Sequence, residues 1–282
     1  MINELIEKIK QNKKYKTIDN SFVKREIDSY LKSHPEISLN SVNKQTVKEI
    51  IKEIRARLHR LYSSYQTKKK RKKEEYLEEL RIMVKENKDI VQVTDKLLVV
   101  TISSKERLPD YEFVYSKIFE ITGKPEVIVD IGSGLNPVSY PYMNLKNLIY
   151  YSYDINDEDV NFLNKYFKIM KSKGLKGKAF IMDIRELKNV DKIPRSDIVF
   201  IFKLIDLIDG KKKVSEDLIK KVIGNTGFIV VSFATRTLTR KPMRLPRRIG
   251  FELMLKRIGL EFNRFSIKNE VFYVIRRESN YQ

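Results

Sequence analysis

The segment Val127-Ile128-Val129-Asp130-Ile131-Gly132-Ser133-Gly134 carries a continuous apolar run straight into a glycine turn. Such a run reads as a buried strand, and glycine lets a backbone approach a ligand where a Cβ would collide. Asp130 is placed to orient that loop and to help hold the polar end of a ligand lying on Gly132 and Gly134. Two further acids follow at comparable places. Asp154 closes the run Leu148–Tyr153, about 20 residues past the glycines, where a carboxylate accepts both hydroxyls of a ribose. Asp183 closes Phe180-Ile181-Met182, placed for the amino group of an adenine. Taken singly, an acid after a strand is a cap for the next helix. At successive strand ends of one sheet the acids and glycines read as a nucleoside site, because ligands of open α/β sheets bind at those carboxyl ends. The third glycine of the dinucleotide fingerprint is missing. Asn136-Pro137 stands there, and proline suits the first turn of a helix.

These residues need a sheet to position them. From about residue 109, short β-branched runs at Val127–Ile131, Leu148–Tyr153, Ala179–Met182, Ile198–Phe202 and Phe228–Phe233 alternate with helical stretches such as Asn156–Lys173 and Val214–Ile223. That alternation predicts a parallel sheet with helices on both faces. Glu261–Ile267 and Val271–Arg276 are joined too closely for a crossover, so the last pair is an antiparallel hairpin. The expected fold class is α/β: the Rossmann-like seven-stranded sheet of class I S-adenosyl-L-methionine methyltransferases, with an N-terminal all-helical domain. In that N-terminal part, Leu5, Ile6 and Ile9, then Phe22, Val23, Ile27, Tyr30 and Leu31, then Val47, Ile50, Ile51, Ile54, Leu58 and Leu61 repeat at helical spacing. His34-Pro35 separates two of these helices. Ile90–Val100 is readable either way, as a strand from its β-branched content or as a helix. The division drawn is a basic helical RNA- or ribosome-docking domain over 1–108 and a methyltransferase domain over 109–282.

The chain has 282 residues, 57 Lys plus Arg against 37 Asp plus Glu, and a formal charge of +20. An excess that large favours a polyanionic partner, a nucleic acid or an anionic membrane face. Residues 1–108 hold 26 basic and 16 acidic side chains and residues 109–282 hold 31 and 21, so the excess is denser at the N-terminal end. Lys68-Lys69-Lys70-Arg71-Lys72-Lys73 is an unbroken basic run followed by Glu74, Glu75, Glu78 and Glu79. It reads equally as a solvated helix with i,i+4 ion pairs or as a phosphate-contacting surface. There is no cysteine, which excludes disulfides, thiolate nucleophiles and Cys-held metals, and His34 and His59 are too few for a triad or a multi-His metal site. No metal is expected. A charged N-terminus without an apolar segment, and no long apolar run, predict a cytoplasmic protein with no membrane partner. Oligomeric state is left open, with a monomer favoured.

The missing residues also bear on the methyl acceptor. Methylation at pyrimidine C5 needs a thiol adduct. The Asn/Asp-Pro-Pro-aromatic signature of exocyclic-amine methylases is absent after the fourth strand, where the chain reads Phe200-Ile201-Phe202-Lys203-Leu204-Ile205-Asp206. Of the Lys-Asp-Lys-Glu set used on ribose, only Lys203 and Glu270 have counterparts. Guanine N7 offers a lone pair and loses no proton on attack, so its methylation needs positioning and electrostatics and no general base. No catalytic acid or base is assigned.

Four segments together resemble the aminoglycoside-resistance 16S ribosomal RNA (guanine-N7) methyltransferases. They are Ser103-Ser104-Lys105-Glu106-Arg107-Leu108-Pro109; Asp130-Ile131-Gly132-Ser133-Gly134-Leu135-Asn136-Pro137; Ser196-Asp197-Ile198-Val199 through Lys203-Leu204; and Val230-Val231-Ser232-Phe233-Ala234-Thr235-Arg236-Thr237-Leu238. Asn269-Glu270-Val271-Phe272-Tyr273 resembles the family's closing motif, and the match spans 103–276. The resemblance implies S-adenosyl-L-methionine as cofactor and the small ribosomal subunit, through its 16S rRNA, as partner. It implies that Arg107 binds the cofactor carboxylate, with a helix salt bridge as the alternative, and that Ile184 lies against the base. Lys203 and Arg236 would grip RNA phosphate or a flipped guanine. Lys68, Lys69, Lys70, Arg71, Arg240, Lys241 and Arg247 would meet the RNA backbone. The family's Gly-Gly-Arg is replaced by Thr239-Arg240-Lys241, and Ala234 stands where the family has proline. Methylation of another ribosomal or transfer RNA base, and a non-catalytic RNA-binding factor on the same fold, stand beside the leading reading.

Overall fold

A computed structural model describes residues 1–39, 41–61, 67–208, 214–236, 243 and 247–278. The strands are β1 (Val127–Ile131), β2 (Leu148–Asp154), β3 (Leu175–Ile181), β4 (Ser196–Phe202), β5 (Thr226–Ala234), β6 (Leu260–Ile267) and β7 (Glu270–Arg277). They form one seven-stranded sheet in the order β3-β2-β1-β4-β5-β7-β6. The first five are parallel, while β7 runs antiparallel to both β5 and β6. The direction of winding reverses between β1 and β4, which places the crevice for a ligand at their carboxyl ends.

The described helices are α1 (Ile2–Lys10), α2 (Asn20–Ser33), α3 (Lys44–Leu61), α4 (Lys73–Lys85), α5 (Val91–Leu98), α6 (Ile102–Arg107), α7 (Tyr111–Thr122), α8 (Asp157–Met170), α9 (Ile205–Ile208), α10 (Val214–Val222) and α11 (Ile249–Arg257). None of them is long and apolar enough to cross a membrane. Alternation along the strands divides the core in two. Ile128, Tyr150, Phe200, Val230 and Phe272 pack with apolar residues of α4, α5, α7 and α8. Val129, Ile131, Val199, Ile201, Val231 and Tyr273 face the other way, onto α9, α10 and α11.

A third cluster belongs to α1, α2 and α3, which pack on one another through Leu5, Ile9, Phe22, Ile27, Ile50, Ile54 and Leu58. The expected helical spacing holds there, and the caps are local. The Asp19 carboxylate accepts from the amides of Ser21 and Phe22, and Asn43 Oδ1 accepts from the Thr46 amide at 2.8 Å. The hydrophobic packing divides the chain earlier than the change of rhythm near residue 109: Leu77, Leu80, Val93 and Leu97 already share the core of the sheet.

Three local expectations are adjusted. Ile90–Val100 is helical over Val91–Leu98, because Val93, Thr94, Leu97 and Leu98 fall on one buried face. The third strand starts at Leu175, not Ala179: Lys176, Gly177 and Lys178 hide it, and Gly177 is required because a Cβ there would stand 2.3 Å from the Phe167 ring. Asp183 accordingly sits two residues beyond the strand, on the following loop. The basic run is divided. Its first five residues form a 3₁₀ turn with Lys69, Arg71 and Lys72 exposed. Lys73 is 1% exposed, with Nζ 2.7 Å from Asp159, 3.2 Å from Glu158 and 5.0 Å above the Phe162 ring.

Candidate active site

At the carboxyl ends of β1, β2 and β4 lies a cleft enclosing about 950 Å³, its open mouth included. The loop after β1 forms one side. Gly132, at φ +68, donates its amide to the Tyr153 carbonyl at 2.8 Å, and a Cβ on it would meet the Leu204 side chain at 2.9 Å. Gly134, at φ +50, has open space where a Cβ would be and donates its amide to Asp154 Oδ2 at 2.8 Å. Positive φ is costly for any other residue, so both glycines are required by conformation.

Asp154 ends β2 and lines the cleft. Its other oxygen accepts from the Asn156 amide at 3.0 Å. Burial, helped by the neighbouring Asp159, pushes its carboxyl up to about 6. Asp183 and Ile184 also line the cleft, with Ile131, Ile155, Met182, Leu204, Leu207 and Ile208 as apolar walls. Asp183 is already clasped by two cations: Arg25 Nε lies 2.9 Å and Arg185 Nη2 2.8 Å from its Oδ2. Burial opposes its charge, but the Arg185 hydrogen bonds and both guanidinium charges outweigh it and hold the carboxyl below its usual range.

Two residues expected to touch the ligand stand behind the cleft. Asp130 is fully buried and, facing α7, is not among the residues that line it. Its Oδ2 accepts from Tyr150 at 2.6 Å and Asn136 at 2.9 Å, Oδ1 has no partner among the described residues, and burial pushes the carboxyl up to about 6. Arg107 is 2% exposed: Nη1 donates to Asn136 at 3.0 Å and Nη2 to Glu270 at 2.6 Å. Asn136 thus links the two residues beneath the loop. Glu270 also accepts from Ser232 Oγ at 2.5 Å and lies 3.5 Å from Lys203 Nζ. Burial opposes its charge; Arg107 and then Lys203 overcome this and lower its carboxyl.

Lys203 lines the cleft, and its side chain, 8% exposed, donates to Glu106 at 3.0 Å. It is held at φ +53, a strained conformation for a lysine, with its amide donating to the Ser232 carbonyl at 3.0 Å. Arg236 is half-buried on the loop after β5 and is not among the lining residues. Arg247 pairs with Glu252. Arg240, Lys241 and the side chains of Lys68 and Lys70 lie outside the described residues.

Sequence reasoning missed the contributions from the N-terminal half. Thr101 and Ser103 line the cleft, and the Thr101 hydroxyl is buried with no partner among the described residues. Phe22 lines it from α2, and the Arg185 guanidinium lies 4.4 Å above the Phe22 ring. Ser103 belongs to a recognisable motif; Phe22 carries only the spacing of a helix core.

The sheet order, its antiparallel last strands and the cleft at the winding reversal define a class I methyltransferase fold. Solved structures share it: the 16S rRNA methyltransferase RmtF, crystallised with S-adenosyl-L-homocysteine, at TM-score 0.76, 19% identity and 98% coverage of both chains, and the 16S rRNA methylase RmtB at 0.70, 21% and 99% of both. The chain belongs to the family described as Ribosomal RNA methyltransferase (FmrO), whose sequence model matches residues 29–274. Proteins named 16S rRNA (guanine(1405)-N(7))-methyltransferase from Micromonospora rosea and Proteus mirabilis are each 22% identical, over 98% of this chain and 97% of their own. A protein of the same name from Frankia casuarinae is 24% identical over 67% of this chain and 65% of its own length.

Proposed function

We propose that this chain methylates guanine N7 in the decoding region of small-subunit 16S rRNA, using S-adenosyl-L-methionine as donor. The observation that carries the reading is the cleft itself, in a chain of this family: a strand-end carboxylate, apolar walls, a glycine loop, Thr101, Ser103 and a lysine line it together. That set fits a nucleoside with a polar amino-acid tail. Asp154 accepts the ribose hydroxyls, Ile131, Ile155, Ile184, Leu204 and Leu207 enclose the base, and Thr101 and Ser103 meet the amino-acid end. Arg107 and Asp130 act from behind, fixing Asn136 and through it the loop. When bound, the donor supplies an electrophilic methyl group at a sulfonium.

Guanine N7 attacks with a lone pair and sheds no proton, so the protein's task is alignment. Lys203 and Arg236 hold the RNA at the cleft. Residues 1–108 dock the ribosomal subunit through backbone phosphates, with Lys69 and Arg71 among the exposed cations. The chain works in the cytoplasm, where that RNA is.

The test is to incubate the protein with labelled S-adenosyl-L-methionine and purified small subunits or tRNA, then map the product by mass. Label at a guanine N7 of 16S rRNA is expected. Label in tRNA alone, or none despite donor binding, overturns the assignment.

A further inference from the structure

The three N-terminal helices form their own core, yet α2 and the segment leading into it grip the chain that follows β2, where Asp154 ends the strand, and the loop that carries Asp183. On the Asp154 side, the Asp19 amide donates to the Ile155 carbonyl at 3.1 Å, the Asp157 amide donates to the Thr17 carbonyl at 2.9 Å, and Asn156 Nδ2 donates to Thr17 Oγ1 at 2.9 Å. Ile18 and Asn156 are paired as an antiparallel bridge. On the Asp183 side the grip is ionic and reciprocal. Arg25 of α2 reaches Asp183 at 2.9 Å and Glu186 at 2.5 Å, while Arg185 of the loop reaches back to Glu26 of α2 at 2.5 Å. Phe22, one helical turn from Glu26, is 3% exposed, lines the cleft and carries Arg185 on its ring face.

The arrangement does more than join two domains. Asp183 holds its charge in a buried place because Arg25 and Arg185 surround it, and Arg185 keeps its direction because Phe22 and Glu26 fix it. A planar guanidinium between a carboxylate and an aromatic face is fixed in orientation as well as charge. Two of the groups that hold the Asp183 loop against the cleft therefore come from α2, more than 150 residues away in the chain.

We propose that the N-terminal bundle is a working part of the nucleoside site, in which Arg25 and Phe22 are positioning residues for Asp183 and Arg185, so that cofactor occupancy and attachment of the bundle are coupled. This rests on the cofactor reading given above. Coupling of this kind is reciprocal: whatever firms the bundle onto the loops tightens the cofactor, and the cofactor firms the bundle. A partner that docks on the bundle then acts on cofactor affinity without touching the cleft.

The test measures S-adenosyl-L-homocysteine binding to the full chain by calorimetry. Arg25→Gln is expected to weaken binding about tenfold, the size of a typical site-to-site coupling. It should do so less than twofold when Asp183 is already Asn, because both changes then break one interaction. Arg55→Gln, a bundle variant whose side chain bonds the Lys8 and Ile9 carbonyls among the described residues, is expected to leave the affinity unchanged. Phe22→Leu keeps an apolar side chain in the bundle core, removes the ring under Arg185, and should weaken binding severalfold. In the wild type the ligand should also slow amide hydrogen exchange over residues 17–25. Unchanged affinity in both Arg25→Gln and Phe22→Leu, equal effects of Arg25→Gln in the two backgrounds, or unaltered exchange with ligand bound would overturn the coupling while leaving the cofactor site intact. A wild-type chain that binds no ligand overturns both.

Discussion

Arg107 and Glu270 lie 163 positions apart and meet as a buried ion pair, Nη2 to Oε1 at 2.6 Å, behind the cleft. The pair joins α6 to the first residue of β7, and through Asn136 and Lys203 it touches both the glycine loop and the lining of the cleft. Neither side chain is more than 2% exposed, so water does not compensate for losing one of them. Removing one member of such a pair costs about 3–5 kcal/mol, chiefly because the survivor is left charged and buried. Glu270→Ala is therefore expected to lower stability by that amount in denaturant melts. Arg107→Met combined with Glu270→Met should recover much of the loss. A single variant as stable as the wild type would mean that the pair is not closed in solution.

How far the sequence was legible is seen in the same residues. The strands of β1, β2, β4, β5 and the final hairpin were readable because buried strands are continuous β-branched runs and the closing turn is short. In β3 the lysines concealed only the start, Leu175 to Lys178, ahead of the expected run at Ala179. Asp154, Asp183, Gly132 and Gly134 line the cleft and were readable because strand ends are local features, whereas Ile184 and Lys203, which line it too, came from the family resemblance. Asp130 could be placed at the strand end, but not turned away from the cleft, since its facing depends on the register of β1 beside Tyr150. Phe22, Arg25 and Thr101 were illegible for a different reason: their role depends on how one unit sits on another, and nothing in a helical repeat encodes its neighbour.

Asp154 gives the site a pH dependence with a definite sign. Its carboxyl lies near 6, and protonation turns one of its two accepting oxygens into a donor and removes the negative charge. Affinity for S-adenosyl-L-homocysteine should be flat above about pH 7 and weaken as the pH falls through about 6. The unliganded chain behaves in the opposite sense. Asp130 and Asp154 bind protons more tightly folded than unfolded, so the stability they contribute is fully present below 3.8 and is lost as the pH rises through about 6. Calorimetry between pH 5 and pH 8 with Asp154→Asn as reference is the check; a wild-type profile parallel to that of the variant would remove Asp154 from ribose recognition.

Thr101 separates ligand binding from stability. Its buried hydroxyl has no partner among the described residues, so replacing it with a methyl group removes an unsatisfied polar atom and breaks no hydrogen bond among them. Thr101→Val is expected to keep or raise the melting temperature while weakening S-adenosyl-L-homocysteine severalfold. Equal affinity in the two proteins would show that the hydroxyl does not meet the ligand.

Gly132 is constrained twice, by its φ of +68 and by the Leu204 side chain 2.9 Å from where a Cβ would stand. Relieving the second constraint does not relieve the first. Gly132→Ala should weaken cofactor binding at least tenfold, and adding Leu204→Ala should restore little of it, because the backbone strain remains. Full recovery in the double variant would mean that crowding alone made glycine necessary.

Arg236 distinguishes substrate handling from cofactor handling. It sits half-buried beyond the end of β5 and does not line the cleft, whereas Lys203 does. Arg236→Ala is expected to reduce methylation of small subunits about a hundredfold or more with cofactor affinity within about twofold, the pattern of a residue that acts on the RNA and not on the cofactor. The exposed Lys69 and Arg71 should behave differently again. Their replacement by Gln should weaken RNA binding across sequences and make that binding less steep in salt, by about one unit of slope for each phosphate no longer neutralised. Filter binding over a salt series, run beside single-turnover methylation, separates these roles. A salt slope unchanged in Lys69→Gln with Arg71→Gln would take that turn out of the RNA interface, and wild-type turnover in Arg236→Ala would take Arg236 out of the site.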